Sequence, residues 1–417
     1  MKRFLKVLIF MIILALCLNC ISNITERKYS SKKYEDFFNQ EEAFDVLFFG
    51  SSHMINGIFP MELYNDYGII SYNMANHNER IISDYYQLLM SLEFNQPKLI
   101  VVDLYMLSRD NTYTSTEQLH NLLDAYPISY IKYQAIKNIV VDKEILEAEI
   151  EYLFPFSMYH SRWDELSEDD FDTASLYEKG AESRINVAEA VEIADYDEVE
   201  VYEGEDTINI EYLRILIEYC QENGIEILLT YLPSQGTEED YSFVKYGQII
   251  ADEYDINYLN FIETEVINYD IDQYNSNDGY FTGSTHLNPS GARKVTSYMG
   301  QYIMDHYDIE DHRGDEEYSF WEEDYDEYID YKISNLYANR ENLNNYLMLL
   351  YDEEDIEYEI TLSSELEIEE DSVFEQLLEN LDNNYVIDDS DFEDNDYTIH
   401  VVTYDSRTGE LSDDVWF

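Results

Sequence analysis

Short apolar runs alternate with helical segments along residues 40–310, and no other feature of the sequence narrows the fold as much. Each run is β-prone and continuously apolar, as expected for a strand that is covered on both faces. Helical crossovers between such strands give a parallel sheet with helices on each side. The sequence therefore predicts an α/β protein, a three-layer α/β/α sandwich with a parallel sheet. We predict strands at 44–49, 69–72, 98–104, 225–231 and 257–260, and helices at 80–93, 209–222, 238–254 and from about Pro289.

Two stretches depart from this pattern. Residues 106–206 predict an insertion over the carboxyl edge of the sheet, where an active-site lid would lie. Residues 330–417 predict a small α+β appendage, which we expect to be dispensable for the folding of residues 40–310. Much of the acidity lies there, since residues 301–417 hold 38 Asp and Glu but only 4 Lys and Arg. Within the appendage we predict helices at 334–351 and 372–381, and strands at 356–362 and near 397–404.

The N-terminus has the composition of a targeting segment. Lys2, Arg3 and Lys6 precede a charge-free run from Val7 to Leu18. The stretch 4–21 is near the lower length limit for a membrane-spanning helix. No A-x-A cleavage site is in place, so residues 1–24 predict an uncleaved anchor with the bulk of the chain outside the cytoplasm. Basic residues also follow the span, so the positive-inside rule does not decide the orientation.

Composition excludes several classes of function. The chain has 24 Lys and Arg against 90 Asp and Glu, a net charge of −66, which excludes a nucleic-acid partner held through phosphate contacts. Its 3 cysteines form neither a disulfide framework nor a metal-binding spacing. The sequence also lacks a P-loop and a dinucleotide fingerprint, so we expect no cofactor and no metal.

One serine and one histidine have the placement that nucleophilic catalysis requires. Ser52 follows Gly50 on a turn directly after the first predicted strand. Its backbone N–H and the following helix could face a developing oxyanion. His286 lies in a loop after the last predicted strand, just before a helix. Because parallel strands end at one edge of the sheet, we expect the Ser52 hydroxyl and the His286 imidazole to approach hydrogen-bond distance.

These segments resemble the sequence blocks of the SGNH, or GDSL-type, hydrolases. Phe49-Gly50-Ser51-Ser52-His53 is similar to the first block in its G-S-S-H form, and His286-Leu287-Asn288 with Gly291 is similar to the last. The resemblance implies that Ser52 is the nucleophile and His286 the general base. It also implies an oxyanion hole formed by the amides of Ser52 and Ala75, with Asn76 as a side-chain donor.

The resemblance extends to a bacterial surface branch that includes the D-alanyl transfer protein of teichoic acid modification. It implies an extracytoplasmic O-acyl esterase or acyltransferase acting on a cell-surface polysaccharide or wall polymer. It further implies a membrane-bound O-acyltransferase as a partner.

The sequence departs from the family pattern at two places. The carboxylate expected three residues before His286 is replaced by Gly283, with Asp278 as the nearest upstream substitute. The third block is replaced by Val102-Asp103-Leu104-Tyr105, without its oxyanion Asn. A catalytically degenerate SGNH module that binds a polymer or a membrane acyltransferase is therefore the alternative.

Four further residues have open roles. His160 and Arg162 lie in an aromatic segment and are candidates for binding an anionic or sugar substrate, or for an aromatic core with a snorkelling Arg. Asp103 is either a structural acceptor or a site carboxylate. We expect His53 to point away from Ser52 and to make a structural hydrogen bond.

Overall fold

The structure, a computed structural model, describes most of the 417-residue chain. The described residues are 2–25, 33–40, 43–109, 116–141, 144–167, 178–188, 194–274, 286–351, 355–392 and 397–417. The strands are β1 Val46–Phe49, β2 Ser71–Asn73, β3 Leu99–Asp103, β4 Glu226–Tyr231, β5 Asn257–Asn260, β6 Gln273–Tyr274, β7 His286–Leu287, β8 Ile356–Leu362, β9 Val386–Ile387, β10 Ile399–Asp405 and β11 Glu410–Trp416. The α-helices are α1 Lys2–Thr25, α2 Glu35–Asn39, α3 Ser52–Gly57, α4 Pro60–Tyr67, α5 Ile81–Ser91, α6 Thr116–Leu123, α7 Tyr130–Ile139, α8 Ile145–Leu153, α9 Phe156–Tyr159, α10 Ile208–Asn223, α11 Glu238–Tyr254, α12 Pro289–His306, α13 Phe320–Asn339, α14 Leu343–Leu349 and α15 Val373–Asn380.

A five-stranded sheet forms the centre of the molecule. Its strand order is β2-β1-β3-β4-β5, and every neighbouring pair is parallel. All five strands therefore end at one edge of the sheet, which is where α/β proteins place their functional groups. The predicted α/β class with a parallel sheet is confirmed.

The side chains of β1 show why the sheet is covered on both faces. Leu47 and Phe49 join a core that also contains residues of α5, α10 and α11. Val46 and Phe48 join a second core that contains residues of α3 and α12. Successive side chains of a strand point to opposite faces, so a continuously apolar strand requires a helical layer on each side.

The C-terminal module has its own sheet, in the order β11-β10-β8-β9. β10 is antiparallel to β8 and β11, whereas β9 is parallel to β8. The single helix predicted at 334–351 is wrong, because α13 ends at Asn339 and α14 starts at Leu343, with the Asn342 side chain capping its first turn. Ile271, outside the module in sequence, is buried in the module's core. The expectation that residues 330–417 are dispensable for folding stays a prediction.

Helix α1 is the one helix of the described residues that is long and apolar enough to cross a membrane. Its candidate span is Arg3–Ser22, and none of it is buried against the rest of the protein. At about 1.5 Å per residue, a 24-residue helix is about 36 Å long, close to the thickness of a bilayer core. Length and composition fit a membrane anchor and a signal sequence equally.

Candidate active site

The turn that carries Ser52 depends on Gly50, two residues before it. Gly50 has a φ of +145°, a conformation that residues with a Cβ rarely adopt. A Cβ at Gly50 would lie 2.9 Å from the Cβ of Asp103, so the turn is also too tight for a side chain. The chain reverses here and enters α3, in which Ser52 is the first residue. Its hydroxyl is thereby placed at the carboxyl edge of the sheet.

His286 reaches the same edge from a small hairpin. β7 pairs antiparallel with β6, where His286 lies opposite Tyr274. Two residues later, Asn288 caps α12 by accepting a hydrogen bond from the Gly291 amide. The sequence predicts a loop at His286, and the structure places it instead in this two-residue strand.

The Ser52 and His286 side chains meet in a direct hydrogen bond. The distance between Ser52 Oγ and His286 Nε2 is 2.8 Å. This is the separation at which an imidazole can accept the serine proton, and the expected approach of the two side chains is therefore present. The catalytic role of the pair stays a prediction.

Burial keeps the His286 imidazole neutral. The pKa of His286 is lowered from 6.5 to about 4, chiefly by burial and also by the nearby His77 and Arg184, against the opposing effect of Glu182. An imidazole that is neutral near pH 7 has a free lone pair on one nitrogen. If Nε2 accepts the Ser52 proton, Nδ1 carries the ring hydrogen. Within the described part of the chain, no side chain or carbonyl accepts a hydrogen bond from Nδ1.

His53 packs on the candidate base. Its ring stacks on His286 with 4.6 Å between centroids and on Tyr105 with 3.6 Å between centroids. The structural hydrogen bond expected for His53 is wrong as far as the described residues go, because neither of its ring nitrogens has a partner among them. Burial lowers the pKa of His53 well below 6.5, so this ring is also neutral. The stack restricts the orientation of the His286 ring.

The three N–H donors implied for the oxyanion hole differ in whether they already donate to a group within the protein. The Ser52 amide is in the first turn of α3, where backbone N–H groups lack intrahelical partners. The Ala75 amide donates to the Asn73 side chain at a long 3.3 Å. The Asn76 side-chain nitrogen donates to the Tyr34 hydroxyl at 2.5 Å and to a Glu79 carboxylate oxygen at 2.9 Å. Both amide hydrogens of Asn76 are thus engaged inside the protein, which disfavours its predicted role.

Residues 178–188, which we call the crossing segment, connect the two halves of the site. The Glu182 amide donates to the Ile55 carbonyl in α3, and the Ala188 amide donates to the Gln273 carbonyl in β6. Gly180 lies against β2 so closely that a Cβ there would be 2.2 Å from a backbone oxygen. The segment belongs to the predicted insertion, and the hypothesis that the insertion forms an active-site lid stays a prediction.

The crossing segment brings a charged cluster that the sequence did not reveal. Glu182 accepts from His77 Nε2 at 3.0 Å and pairs with Arg184 at 2.7 Å. Burial raises the pKa of Glu182, but the hydrogen bond from His77 and the charges of His77, Arg184 and Lys33 together outweigh burial and hold the pKa below its usual value. All three groups are close enough to His286 to influence its pKa. No spacing rule links residue 77 to residues 182–184, so only the fold shows this cluster.

His160 and Arg162 lie in the part of the insertion that contacts the end of α1. Arg162 donates to the Thr25 carbonyl at the last residue of α1, with a distance of 2.7 Å. The His160 ring lies 6.0 Å from the ring of Phe156. The predicted substrate-binding role of the two residues is not supported by these contacts and stays a prediction.

Asp103 acts as a structural acceptor at the end of β3. One of its carboxylate oxygens accepts from the Leu232 amide at 3.3 Å. Burial raises the pKa of Asp103 to about 7, against the opposing effect of that hydrogen bond. Gly283 and Asp278 lie outside the described residues. Among the residues that the structure describes, no group of three or more His, Cys, Asp or Glu could hold a metal ion.

Comparisons with known proteins give few matches. The chain matches no family model and no curated protein. Among solved structures it is similar to a "putative acylhydrolase" from Bacteroides fragilis, with 10% identity and a TM-score of 0.33, over 67% of this chain and 99% of that one. It is also similar to a GDSL-like lipase from Bacteroides thetaiotaomicron, with 10% identity and a TM-score of 0.30, over 66% of this chain and 97% of that one. Similarity at this level does not establish a shared activity.

Proposed function

We propose that this chain is an extracytoplasmic O-acyl esterase or acyltransferase of the SGNH type. The observation that carries the proposal is the 2.8 Å hydrogen bond between Ser52 Oγ and His286 Nε2 at the carboxyl edge of a parallel sheet. A neutral imidazole bonded to a serine on a tight turn is the arrangement that activates a serine hydroxyl. The α/β fold supports the proposal but does not specify the chemistry.

The reaction would proceed in two acyl transfers. His286 Nε2 takes the Ser52 proton as Oγ attacks the acyl carbonyl, and the Ser52 amide, in the first turn of α3, would donate to the developing oxyanion. The Ala75 amide would join it only after giving up its long hydrogen bond to the Asn73 side chain. His286 then returns the proton to the leaving alcohol, which leaves an acyl group on Ser52. In the second step His286 deprotonates water or an acceptor hydroxyl, which attacks the acyl-enzyme and releases Ser52. Water makes the protein an esterase, and a polymer hydroxyl makes it a transferase.

Packing would take over part of the role of a triad carboxylate. In a Ser-His-Asp triad the carboxylate holds the imidazole in one tautomer and orientation. Here the stack with His53 restricts the ring orientation, and burial keeps the imidazole neutral. When His286 becomes protonated during the reaction, Glu182 is the nearby anion that would stabilise the imidazolium.

The proposed substrate is an acyl ester on a cell-surface polysaccharide or wall polymer. The resemblance of the Ser52 and His286 segments to the surface branch of the SGNH hydrolases suggests this class. α1 supports a position at the membrane, and a membrane-bound O-acyltransferase is the partner that such a position would suit. The charge of −66 makes a polyanionic substrate less favourable than a neutral or cationic polymer.

A fluorophosphonate probe tests the proposal, because it labels only activated serine hydroxyls. We expect the wild type to be labelled and Ser52→Ala not to be. Ser51→Ala is the matched control, since the Ser51 hydroxyl is buried and has no partner among the described residues. It should keep the label. Equal labelling of the wild type and Ser52→Ala would refute the enzyme proposal.

The alternative is a degenerate SGNH module that binds a polymer or an acyltransferase. The absence of a described acceptor for His286 Nδ1 favours this alternative. The degenerate module predicts that the probe labels neither the wild type nor any variant and that the protein still binds the polymer. The probe therefore separates the two proposals in one experiment.

A further inference from the structure

Among the described side chains of residues 144–167, within the insertion, five large apolar ones are exposed to solvent. They lie in α8, in α9 and in the segments that follow these two helices. Their exposed fractions are 68% for Leu146, 51% for Ile150, 60% for Phe154, 45% for Met158 and 71% for Trp163. We call this set the insertion patch.

Three members of the insertion patch form one connected surface. Leu146 and Ile150 are four residues apart in α8 and so share one face of the helix. Both line a shallow groove together with Met158 of α9. Contiguous exposed apolar surface on a soluble protein commonly marks a contact with a partner or a membrane.

The position of α1 identifies the partner. Arg162, next to Trp163, donates to the carbonyl of Thr25 at the last turn of α1. The candidate span ends three residues earlier, at Ser22. The insertion patch is therefore close to the level at which α1 would leave the hydrocarbon, where Trp and Arg side chains are favoured.

We propose that the insertion patch dips into the lipid interface beside α1. The inference rests on the proposed anchoring of the chain by α1, and it adds a second membrane contact made by the folded domain. Apolar side chains at an interface bury their surface among headgroups and upper acyl chains. The contact would fix the orientation of the α/β domain relative to the membrane, which one helix alone does not do.

The chemistry of the patch favours apolar insertion over charge attraction. The same groove is bordered by Glu144, Glu147 and Glu151. These carboxylates would be repelled by an anionic leaflet. We therefore expect the contact to form on zwitterionic lipid and to be insensitive to salt.

Tryptophan quenching by brominated lipid tests the contact on the full chain. The protein has 3 Trp, of which Trp321 is fully buried and Trp416 stacks on His400 in the C-terminal sheet. In phosphatidylcholine vesicles, we expect bromine on the upper acyl chain to lower the emission of the wild type. The bromine-dependent loss should be absent in Trp163→Phe.

Two further variants test whether the quenching of Trp163 depends on the insertion patch itself. Leu146→Glu combined with Ile150→Glu places charge on the patch, and it should reduce the quenching of Trp163. Leu411→Glu is the matched control, since Leu411 is 60% exposed but lies on β11, outside the insertion. It should leave the quenching unchanged.

The outcomes separate this inference from the proposals on which it rests. Failure of the wild type to float with vesicles would refute the anchor, whereas loss of Ser52 labelling would refute the enzyme. A protein that floats and is labelled, but whose Trp163 is not quenched, overturns the membrane contact alone. In that case the patch is free for a protein partner, and the lipid proposal fails.

Discussion

Ser52 and His286 reach the same hydrogen bond from differently built parts of the molecule. Ser52 is placed by a few consecutive residues, from the end of β1 through Gly50 into α3. His286 is held by contacts from distant segments. Ser290 and Lys294, which follow His286 in the first two turns of α12, both donate to Asp272. Asn380 of the C-terminal module hydrogen-bonds to the same two residues.

The nucleophile is therefore positioned by residues that are adjacent in the sequence, whereas the base is positioned by residues that are distant in the sequence. The position of the nucleophile follows from backbone geometry, so a change there should act through the fold itself. The position of the base follows from side-chain hydrogen bonds, each worth about 0.5–1.5 kcal/mol, so single changes there should act weakly. Three measurements test this contrast.

The largest effect is expected from Gly50→Ala. Alanine at a φ of +145° is strained, and its Cβ would lie 2.9 Å from that of Asp103. We expect the free energy of unfolding to fall by roughly 2–4 kcal/mol, with loss of activity on a small acetyl ester. Urea titration followed by circular dichroism measures the change.

Gly224→Ala is the control for this substitution. Gly224 also has a positive φ, +69°, but nothing lies within 4 Å of a Cβ there. Gly224→Ala should lower the free energy of unfolding by only about 1 kcal/mol, because it strains the backbone conformation and causes no close contact. If the two variants unfold at the same urea concentration, the close approach to Asp103 has no energetic importance.

A smaller effect is expected from Asn380→Ala. Asn380 accepts from Lys294 at 2.6 Å and donates to Ser290 at 3.1 Å, both in the first two turns of α12. Removing these contacts should loosen the start of α12 and lower kcat by about threefold to tenfold, the equivalent of one net hydrogen bond. Glu379→Ala, at an exposed neighbour on α15, should leave kcat unchanged. Equal rates for the two variants would show that the module does not support the base.

The smallest effect is expected from a moderate change of pH. The general base acts when neutral, and burial lowers the pKa of His286 to about 4. kcat/KM should therefore stay near its plateau down to about pH 5.5, where an imidazole with a pKa of about 6.5 would be only about one-tenth neutral.

Stability must be followed in the same samples. Unfolding raises the pKa of His286 towards 6.5, so the unfolded state binds more protons between pH 4 and 6.5. Stability from this group is present above pH 6.5 and decreases as the pH falls to about 4. A midpoint of kcat/KM near 6.5 in a protein that is still folded would contradict a buried, neutral base.

The sequence predicted the central sheet well because buried parallel strands have an unambiguous apolar signature. β5 and α11 begin and end at the predicted residues, and β4 and α10 differ by one residue at most. The sequence analysis missed β11, because Asp413 and Asp414 interrupt its apolar pattern. The strand forms through its antiparallel pairing with β10.

His286 reaches Ser52 from the β6–β7 pair, outside the parallel sheet, so only the position of Ser52, directly after β1, was predictable from the common sheet edge. The stack of His53 on His286 and the cluster of Glu182, His77 and Arg184 were not. The contacts of Glu182 and Arg184 depend on how a long insertion returns across the sheet edge, and the His53 stack depends on how β7 meets α3. Residue spacing records neither arrangement.

If α1 anchors the chain as proposed, Lys33 limits where proteolysis could release the folded part of the protein. Lys33 is buried and donates to the carbonyls of Ala75 and Gly180, which ties the chain after α1 to the segment that follows β2 and to the crossing segment. Proteolysis between Thr25 and Lys33 would shed a soluble form that keeps both contacts. A cut a few residues later would remove Lys33 and the neighbouring buried Tyr34 from the released protein. A shedding protease would therefore have only the short interval 26–32 in which to produce a soluble form with its site still supported.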